Sequence, residues 1–293
     1  MLYFSYEITL HNCDVKRDQE ELSMQEFRTT RIASGVYSIL DAGDSSFYVV
    51  EGTDRAAVID TGITPGGRIM PVVRSLTDKP LVLVITHAHI DHMHHMDEFE
   101  EIYLCHDDLT LPQEYLQEMM GGKALDLRST RDMHTGTAIS LGDSDLEICQ
   151  VPGHTPGSVV VLDHRRDLLF TGDAIGSGYG VWLQVPGAVP LEDYLQSLRA
   201  LMKWLVDRGG RMRFWGGHSY QQFQSTLIPG YNPLSMGLLA DLIDLVDGVV
   251  RGEIVGRASN ADKVMSLEPA RYASFGRAEL QYMASNIHSR SAE

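Results

Sequence analysis

The sequence predicts a mixed α/β fold built from many short strands and several amphipathic helices. Short apolar runs rich in valine, isoleucine, leucine and aromatic residues recur along the chain, with turn residues between them. Longer segments place apolar residues at helical spacing. Histidine or aspartate follows several of the apolar runs, so polar side chains are concentrated at the predicted strand ends.

From Gly35, the first half of the chain is predicted to be rich in strands. A helix is predicted over GGRIMPVVRSLTD, because Pro71 falls within its early part, where proline is tolerated. Another helix is expected from about Met93. The runs predicted as strands are GVYSIL, SFYVVEG, AAVIDTG and LVLVIT, the last ending at Thr86.

The second half continues the alternation without repeating the sequence. The predicted strands are DLEICQV, SVVVLDH, DLLFTG and RFWGGH. The predicted helices are LEDYLQSLRALMKWLVD and MGLLADLIDLVDGVV, and EPARYASFGRAELQYM is left open as helix or strand. Residues 1–30 are predicted as an N-terminal extension, residues 31–230 as the main domain, and residues 231–293 as a C-terminal segment packed on that domain.

The charge balance restricts the expected partners. The 293 residues carry a formal net charge of −16 at pH 7. Binding to a phosphate backbone requires neutralisation by lysine and arginine, so neither a nucleic acid nor an anionic membrane is expected as a partner. No apolar run approaches the roughly 18 residues that a membrane-spanning helix needs.

The cysteine pattern favours a reducing compartment. Cys13, Cys105 and Cys149 are odd in number, and their spacing fits no zinc ribbon. We therefore interpret them as free thiols. The N-terminal sequence has neither a basic segment nor a long apolar segment of the secretory type, so a cytoplasmic location is expected.

A dense cluster of metal-ligand residue types directly follows the apolar run LVLVIT. The segment reads THAHIDH, with His87 and His89 two residues apart and Asp91 and His92 just beyond. By strand alternation the first two are expected on one side, while the turning chain directs the others elsewhere, so one segment could serve two adjacent sites. Imidazole nitrogen and carboxylate oxygen are ligands that zinc and similar cations prefer.

Three further candidate ligands each follow an apolar strand and have a glycine beside them. His154 lies in VPGHTPGS, Asp173 ends LLFTGD, and His218 ends WGGH. Glycine lets the backbone approach closely at such positions. Together with the first cluster, these residues predict a site that holds two metal ions.

These motifs resemble those of the metallo-β-lactamase-fold hydrolases. The resemblance runs from about Gly35 to His218 and includes VIDTG, THAHIDH, PGHTPGS, TGD and GGH. It implies a four-layer αβ/βα sandwich, in which two mixed β-sheets lie face to face with helices outside and the metal site lies at one edge. The main domain at residues 31–230 would then be the metallo-β-lactamase-like domain.

The resemblance also implies a role for each matching residue. The first metal would be held by three histidines, the second by an aspartate and two histidines, with one further aspartate as the bridge. Asp60 would orient the metal-binding loop without binding a metal itself. In that order the implied ligands are His87, His89, His154, Asp91, His92, His218 and Asp173.

Two divalent cations that share a water lower its pKa from about 15.7 to about 7 and so provide a hydroxide at neutral pH. Zinc is the expected metal, with manganese or iron as alternatives. Asp91 is a candidate acceptor of the water proton, and Tyr179 and Tyr220 are candidates for assisting the leaving group. The predicted activity is hydrolysis of a small-molecule ester, thioester, lactone or amide. The sequence leaves open whether the chain forms a homodimer.

Asp173 distinguishes between branches of the family. The best-known true β-lactamases of this fold have cysteine or serine at the matching position, whereas a bridging carboxylate resembles the glyoxalase II, lactonase, thioesterase and RNase Z branches. The acidic chain, with no obvious RNA-binding arm, argues against a nuclease. A flavodiiron oxygen reductase is disfavoured, because His89 stands where those enzymes have glutamate. A β-lactamase and a mononuclear-iron sulfur dioxygenase stay open as alternatives.

Two points stay undecided from the sequence. Many relatives have glycines where this chain has His94 and His95, and we interpret these two as solvent-facing, with the mouth of the substrate site as the alternative. Residues 219–293 could wall the substrate pocket or only pack on the sandwich.

Overall fold

The computed structural model describes residues 27–64, 67–119, 126–176, 180–218, 234–259, 266 and 268–289. The strands β1 to β16 are, in chain order, Arg28–Ala33, Val36–Leu40, Ser46–Glu51, Ala56–Ile59, Leu81–Val84, Ile102–Leu104, Arg131–Asp132, Ala138–Ser140, Asp145–Gln150, Val159–Asp163, Leu168–Gly172, Val181–Leu183, Arg213–Gly216, Arg257–Ala258, Arg271–Phe275 and Ala278–Tyr282. The helices α1 to α5 are Met70–Leu76, Ile90–Met93, Gln113–Met119, Leu191–Asp207 and Met236–Val250.

The strands form three sheets. The first contains β1 to β7 in chain order, antiparallel up to β4 and parallel from β4 onward. The second has the order β13-β11-β10-β9-β8, in which only the β11–β13 pair is parallel. A smaller third sheet, β12-β16-β15-β14, joins the C-terminal strands to β12.

The two larger sheets face each other across a continuous apolar core. Alternate residues of β3 show this arrangement: Tyr48 and Val50 pack in the core shared with Ile148, Val161 and Phe170 of the second sheet. The intervening side chains of β3 point to the opposite face, as the period of two requires. The central strands of each large sheet, such as β5 and β11, are therefore buried on both faces, which accounts for their largely apolar sequences.

Helices cover the outer faces. Val72 and Val73 of α1 pack on the outer face of the first sheet. The apolar stripe of α4 packs on the outer face of the second sheet, where α5 and the third sheet also join the core. The order helix, sheet, sheet, helix is the αβ/βα sandwich that the resemblance implies, and this fold class is confirmed.

The two long helices, α4 and α5, have the bounds predicted for them, and the predicted strands of both halves are present. Pro71 lies in the first turn of α1 as expected. The strand LVLVIT ends at Val84, two residues earlier than predicted. The open segment near the C-terminus is the β15–β16 hairpin.

Two other local predictions are wrong. The helix expected from about Met93 instead ends there, because α2 covers only Ile90–Met93 and is followed by a 3₁₀ turn at Met96–Glu98. The strand-rich region begins at Arg28, since β1 precedes Gly35. The predicted boundaries of the extension and of the C-terminal segment stay predictions.

Among the described residues, no helix combines the length and apolar character that a membrane span requires. Cys105 and Cys149 are buried and form no disulfide. The third cysteine, Cys13, lies outside the described residues.

We expect Leu198→Ala to lower the free energy of unfolding by about 2–5 kcal/mol, because it leaves a cavity in the core beneath α4. The neighbouring change Arg199→Ala removes only a solvent-exposed ion pair with Asp247 and should cost less than about 1 kcal/mol. Chemical denaturation followed by circular dichroism, at matched metal content, measures both. Equal losses in the two variants would contradict this account of the core.

Candidate metal centre

The candidate ligands lie where strands of both large sheets end at one edge of the sandwich. The loop after β5 carries His87 and His89, the short helix α2 that follows carries Asp91 and His92, and the loop after β9 carries His154. Asp173 follows β11, and His218 follows β13. The edges of the two sheets are joined there, since Tyr48 donates a hydrogen bond to the carbonyl of Gly216.

Three histidines form the first group of ligand atoms. His87, His89 and His154 each offer a nitrogen, and these atoms lie within 4.8 Å of one another. The ring centroids of His89 and His154 are 4.5 Å apart, and all three side chains are buried. Three imidazoles on one cation are the protein ligand set of a catalytic zinc site that leaves the fourth position open.

A second group contains Asp91, His92 and His218, whose ligand atoms also lie within 4.8 Å of one another. Nε2 of His218 is 3.2 Å from Oδ2 of Asp91. Asp173 lies between the two groups: its Oδ2 is 3.6 Å from Nε2 of His154 and 3.5 Å from Nε2 of His218. Its Oδ1 is 3.7 Å from Nε2 of His92.

Hydrogen bonds at the far side of the rings fix the direction of several imidazoles. Nδ1 of His154 is 2.6 Å from the carbonyl of Trp182, and Nδ1 of His218 is 3.2 Å from the carbonyl of Asp44. A carbonyl only accepts, so both Nδ1 atoms carry the proton. This directs Nε2 of each ring to the shared centre.

Asp60 orients a third histidine. Its carboxylate accepts from the amide and hydroxyl of Thr86, at 2.7 and 2.8 Å, and from Nδ1 of His92 at 2.9 Å. Because the Thr86 hydroxyl donates to Asp60, it is left to accept from Nδ1 of His87 at 3.1 Å. Asp60 holds a positive φ of 60°, a strained conformation of the kind that persists where the surroundings impose it.

The candidate ligand atoms are arranged as expected for a site that binds a cation. Nε2 of His87, His89, His92 and His154 and Oδ1 of Asp173 are buried, and none has a hydrogen-bond partner. A buried polar atom without a hydrogen-bond partner lowers the stability of the fold by about 1–3 kcal/mol. Gly217 lets the backbone pass close to this cluster, since a Cβ there would lie 2.5 Å from Oδ1 of Asp173.

The protein's own charges divide the cluster into two halves. In the three-histidine half, burial lowers the pKa of His87 and His154, and it lowers the pKa of His89 to about 3. The neighbouring imidazoles add to this effect on His87 and His89. These rings are therefore neutral at pH 7, which is the form that binds a metal.

The other half holds opposite charges. Burial alone would lower the pKa of His92 and His218, but the surrounding aspartates raise the pKa of His92 well above its usual value and that of His218 to about 10. Burial would raise the pKa of Asp91 and Asp173, yet the two histidines hold it well below the usual range. The charges of the two histidines and the two aspartates therefore balance, and a metal that binds here would displace the protons of His92 and His218.

The structure corrects the interpretation of His95. Its side chain is only 2% exposed, so it does not face solvent. Nδ1 of His95 lies 3.2 Å from Glu98, which also accepts the Ile69 and Met70 amides at the start of α1. His94 is half-buried, and its ring lies 4.7 Å from that of His95.

Tyr179 and Tyr220 lie outside the described residues, so their roles stay predictions. The structure brings a different tyrosine to the site. The ring of Tyr115, on α3, meets that of His89 edge-on at a centroid distance of 5.9 Å. Burial, with a smaller contribution from Asp91, raises the pKa of Tyr115 to about 12. No sequence motif marks this residue, which is separated from the histidine cluster by β6.

The fold and the edge site together define the class of protein. Residues 40–218 match the model of the metallo-beta-lactamase superfamily, so the chain belongs to this superfamily of metallohydrolases. A solved metallo-beta-lactamase from Pontibacter korlensis superposes with a TM-score of 0.53 at 20% identity, covering 75% of this chain and 99% of that one. At this identity the likeness shows the fold alone.

Several similar curated proteins are named as thioesterases or hydrolases. Acyl-coenzyme A thioesterase MBLAC2 of Gallus gallus is 27% identical over 232 residues, which is 67% of this chain and 82% of the relative. Hydroxyacylglutathione hydrolase GloC of Haemophilus influenzae is 29% identical over 137 residues, which is 42% of this chain and 63% of the relative.

We expect the cluster to bind a divalent metal, and we expect this binding to depend on His154. The change His154→Ala removes one of three closely spaced nitrogens and should at least halve the metal bound per chain. His164→Ala is the matched control, because its exposed side chain bonds Glu147 at the surface. Elemental analysis after removal of loose metal measures both variants. Unchanged metal content in His154→Ala would contradict the assignment.

Proposed function

We propose that this chain is a dinuclear metal-dependent hydrolase of a small acyl substrate, with a thioester as the preferred class. The observation that carries the proposal is Asp173, whose two oxygens lie between the three-histidine group and the group of Asp91, His92 and His218. A shared carboxylate of this kind suits a pair of cations better than one.

The similar curated proteins support the thioester class. Two of them are a thioesterase and a hydroxyacylglutathione hydrolase, and both names describe cleavage of a thioester. Esters, lactones and amides present the same electrophilic carbonyl and stay within the proposal. A metal centre of this kind acts on that carbonyl, while the surrounding pocket selects among acyl groups.

Zinc is the proposed metal, because neutral imidazoles and carboxylates are ligands it prefers; manganese and iron remain alternatives. His87, His89 and His154 would hold one ion, and Asp91, His92 and His218 the other, with Asp173 shared between them. When bound, such a pair supplies Lewis acidity and lowers the pKa of a water.

Asp91 is the proposed proton acceptor of the chain. Its side chain is 24% exposed, whereas that of Asp173 is 7% exposed, so Asp91 is the carboxylate that faces the substrate side. Its pKa is well below the usual range, which keeps its oxygens ionised and able to accept a hydrogen bond. Asp60 would keep His92 in one orientation through the hydrogen bond at Nδ1.

Tyr115 is the proposed contact of the chain with the acyl group. Its half-buried ring borders His89, and its raised pKa keeps the hydroxyl protonated at neutral pH. A protonated phenol can donate a hydrogen bond to a substrate carbonyl. The apolar ring would also exclude water from that side of the centre.

We further propose a cytoplasmic location and a small-molecule partner. Two buried free thiols suit a reducing compartment. The net charge of −16 is unfavourable for binding a nucleic acid or an anionic membrane. A homodimer stays an open proposal.

The alternative from another class is a mononuclear-iron sulfur dioxygenase, which shares most of the ligand set. Metal analysis of protein purified without added metal separates the two. Two zinc or manganese ions per chain support the hydrolase. One iron per chain, with oxygen consumed in the presence of a thiol persulfide, would contradict it.

We expect hydrolysis of acyl-coenzyme A or hydroxyacylglutathione thioesters, with weak or no turnover of β-lactams. The measurement is a panel of thioester, ester, lactone, β-lactam and precursor tRNA, run with Zn²⁺ and with Mn²⁺. Chelation should abolish the activity, and added metal should restore it. Cleavage of the RNA alone, or hydrolysis that survives complete metal removal, would refute the proposal.

We expect Asp173→Ala to lower kcat/KM by at least 100-fold, because the carboxylate faces both ligand groups. His94→Ala, at a half-buried position just beyond the ligand run, should change kcat/KM less than tenfold. Both variants are compared at matched folding, judged by circular dichroism. Similar losses in the two variants would remove the special role assigned to Asp173.

A further inference from the structure

A buried carboxylate joins the two loops that carry the three-histidine group. Asp108 lies in a 3₁₀ turn after β6, and its side chain is fully buried. Its Oδ2 accepts from the amide of Ala88 at 2.7 Å, and its Oδ1 accepts from the amide of Gly157 at 2.6 Å. The hydroxyl of Thr155 also bonds to this carboxylate.

Two of these three donors lie directly beside a candidate ligand, and the third, Gly157, lies in the same loop as His154. Ala88 stands between His87 and His89, while Thr155 follows His154 directly. The two loops come from different sheets, since one follows β5 and the other follows β9. Asp108 therefore spans the two sheets at the edge where the metal centre lies.

The loop that carries His154 packs closely against Asp108 at Gly157. A Cβ at Gly157 would lie 2.7 Å from Cγ of Asp108 and 2.8 Å from its backbone nitrogen. A larger residue would push the loop of His154 away from the loop of His87. Thr155 and Ser158 brace the same turn, because their hydroxyls are 2.9 Å apart and the Thr155 amide donates to the Ser158 hydroxyl.

We propose that Asp108 is a positioning residue that sets the spacing of the three-histidine group by holding the loops of His87–His89 and His154 together. This inference rests on the proposed metal site and assigns a determinant of its affinity. Asp108 acts through backbone amides, so it would not bind the metal itself. Residues that orient ligands in this way typically contribute 10–100-fold to metal affinity.

A carboxylate is required because two amides approach it from different loops. In Asp108→Asn, an amide nitrogen replaces one oxygen and cannot accept from the backbone N–H that faces it. One loop is then released while the shape of the side chain is kept. Gly157→Ala disturbs the same contact from the other loop and leaves every polar group in place.

The test isolates the three-histidine group. Asp91→Asn with His218→Ala provides a background that lacks two ligands of the other group. Zinc affinity in this background is measured by competition with a chromophoric chelator. We expect Asp108→Asn and Gly157→Ala each to weaken zinc binding 10–100-fold.

Asp163→Asn is the matched control. Asp163 is also fully buried, and it accepts from the Ser144 hydroxyl and the Arg165 amide and pairs with Arg166. It ends β10, which runs antiparallel to β9 and β11, so it lies at the opposite edge from the metal centre. The control should change zinc affinity less than threefold, even if all three variants lower the melting temperature of the metal-free protein.

The outcomes separate the inference from the proposed function. Unchanged zinc affinity in Asp108→Asn overturns the inference, as does an equal loss in Asp163→Asn, which would indicate general destabilisation. If Asp108→Asn does not fold, unchanged affinity in Gly157→Ala overturns it instead. Failure of the unsubstituted chain to bind any divalent metal would contradict the proposed metal site, and the inference with it.

Discussion

Three neutral imidazole nitrogens buried at one point are the constraint on which the rest of this structure depends. Nε2 of His87, His89 and His154 have no hydrogen-bond partner. At about 1–3 kcal/mol each, they would together cost roughly 3–9 kcal/mol. A whole domain is stable by only about 5–15 kcal/mol, so a cation that binds these atoms contributes to folding as well as to chemistry.

The fold meets this constraint by fixing loops to strands and to each other. The two sheets share an apolar core that contains none of the candidate ligands, and this core brings their strand ends to one edge. Buried carboxylates then set the loops in place: Asp60 holds the start of the histidine loop, and Asp108 joins it to the loop of His154. The rigid sandwich thus supports a crowded polar site.

The sequence was sufficient for what depends on local pattern, and not for what depends on distant contacts. Apolar runs marked the strands β2 to β5, β9 to β11 and β13, and helical spacing of apolar residues marked α4 and α5. The early end of α2 could not be predicted from the sequence, because it depends on a distant residue. Thr61 donates to the carbonyl of His92 and accepts from the amide of His95, and a longer helix would use both of these groups. The proposed role of Asp108 could not be predicted either. Its segment, HDDLT, matches no motif, and its hydrogen-bond partners lie in loops that follow strands of two different sheets.

The division of charge in the site bears on which reaction it suits. The three-histidine half contributes no charge, and once a metal has displaced the protons of His92 and His218, Asp91 and Asp173 contribute two negative charges to the other half. Two divalent cations would therefore leave the centre net positive within a chain of net charge −16. Such a centre would stabilise the negative charge that develops on a carbonyl oxygen during acyl transfer. Because Asp173 faces both groups, the two halves would act on that oxygen as one unit.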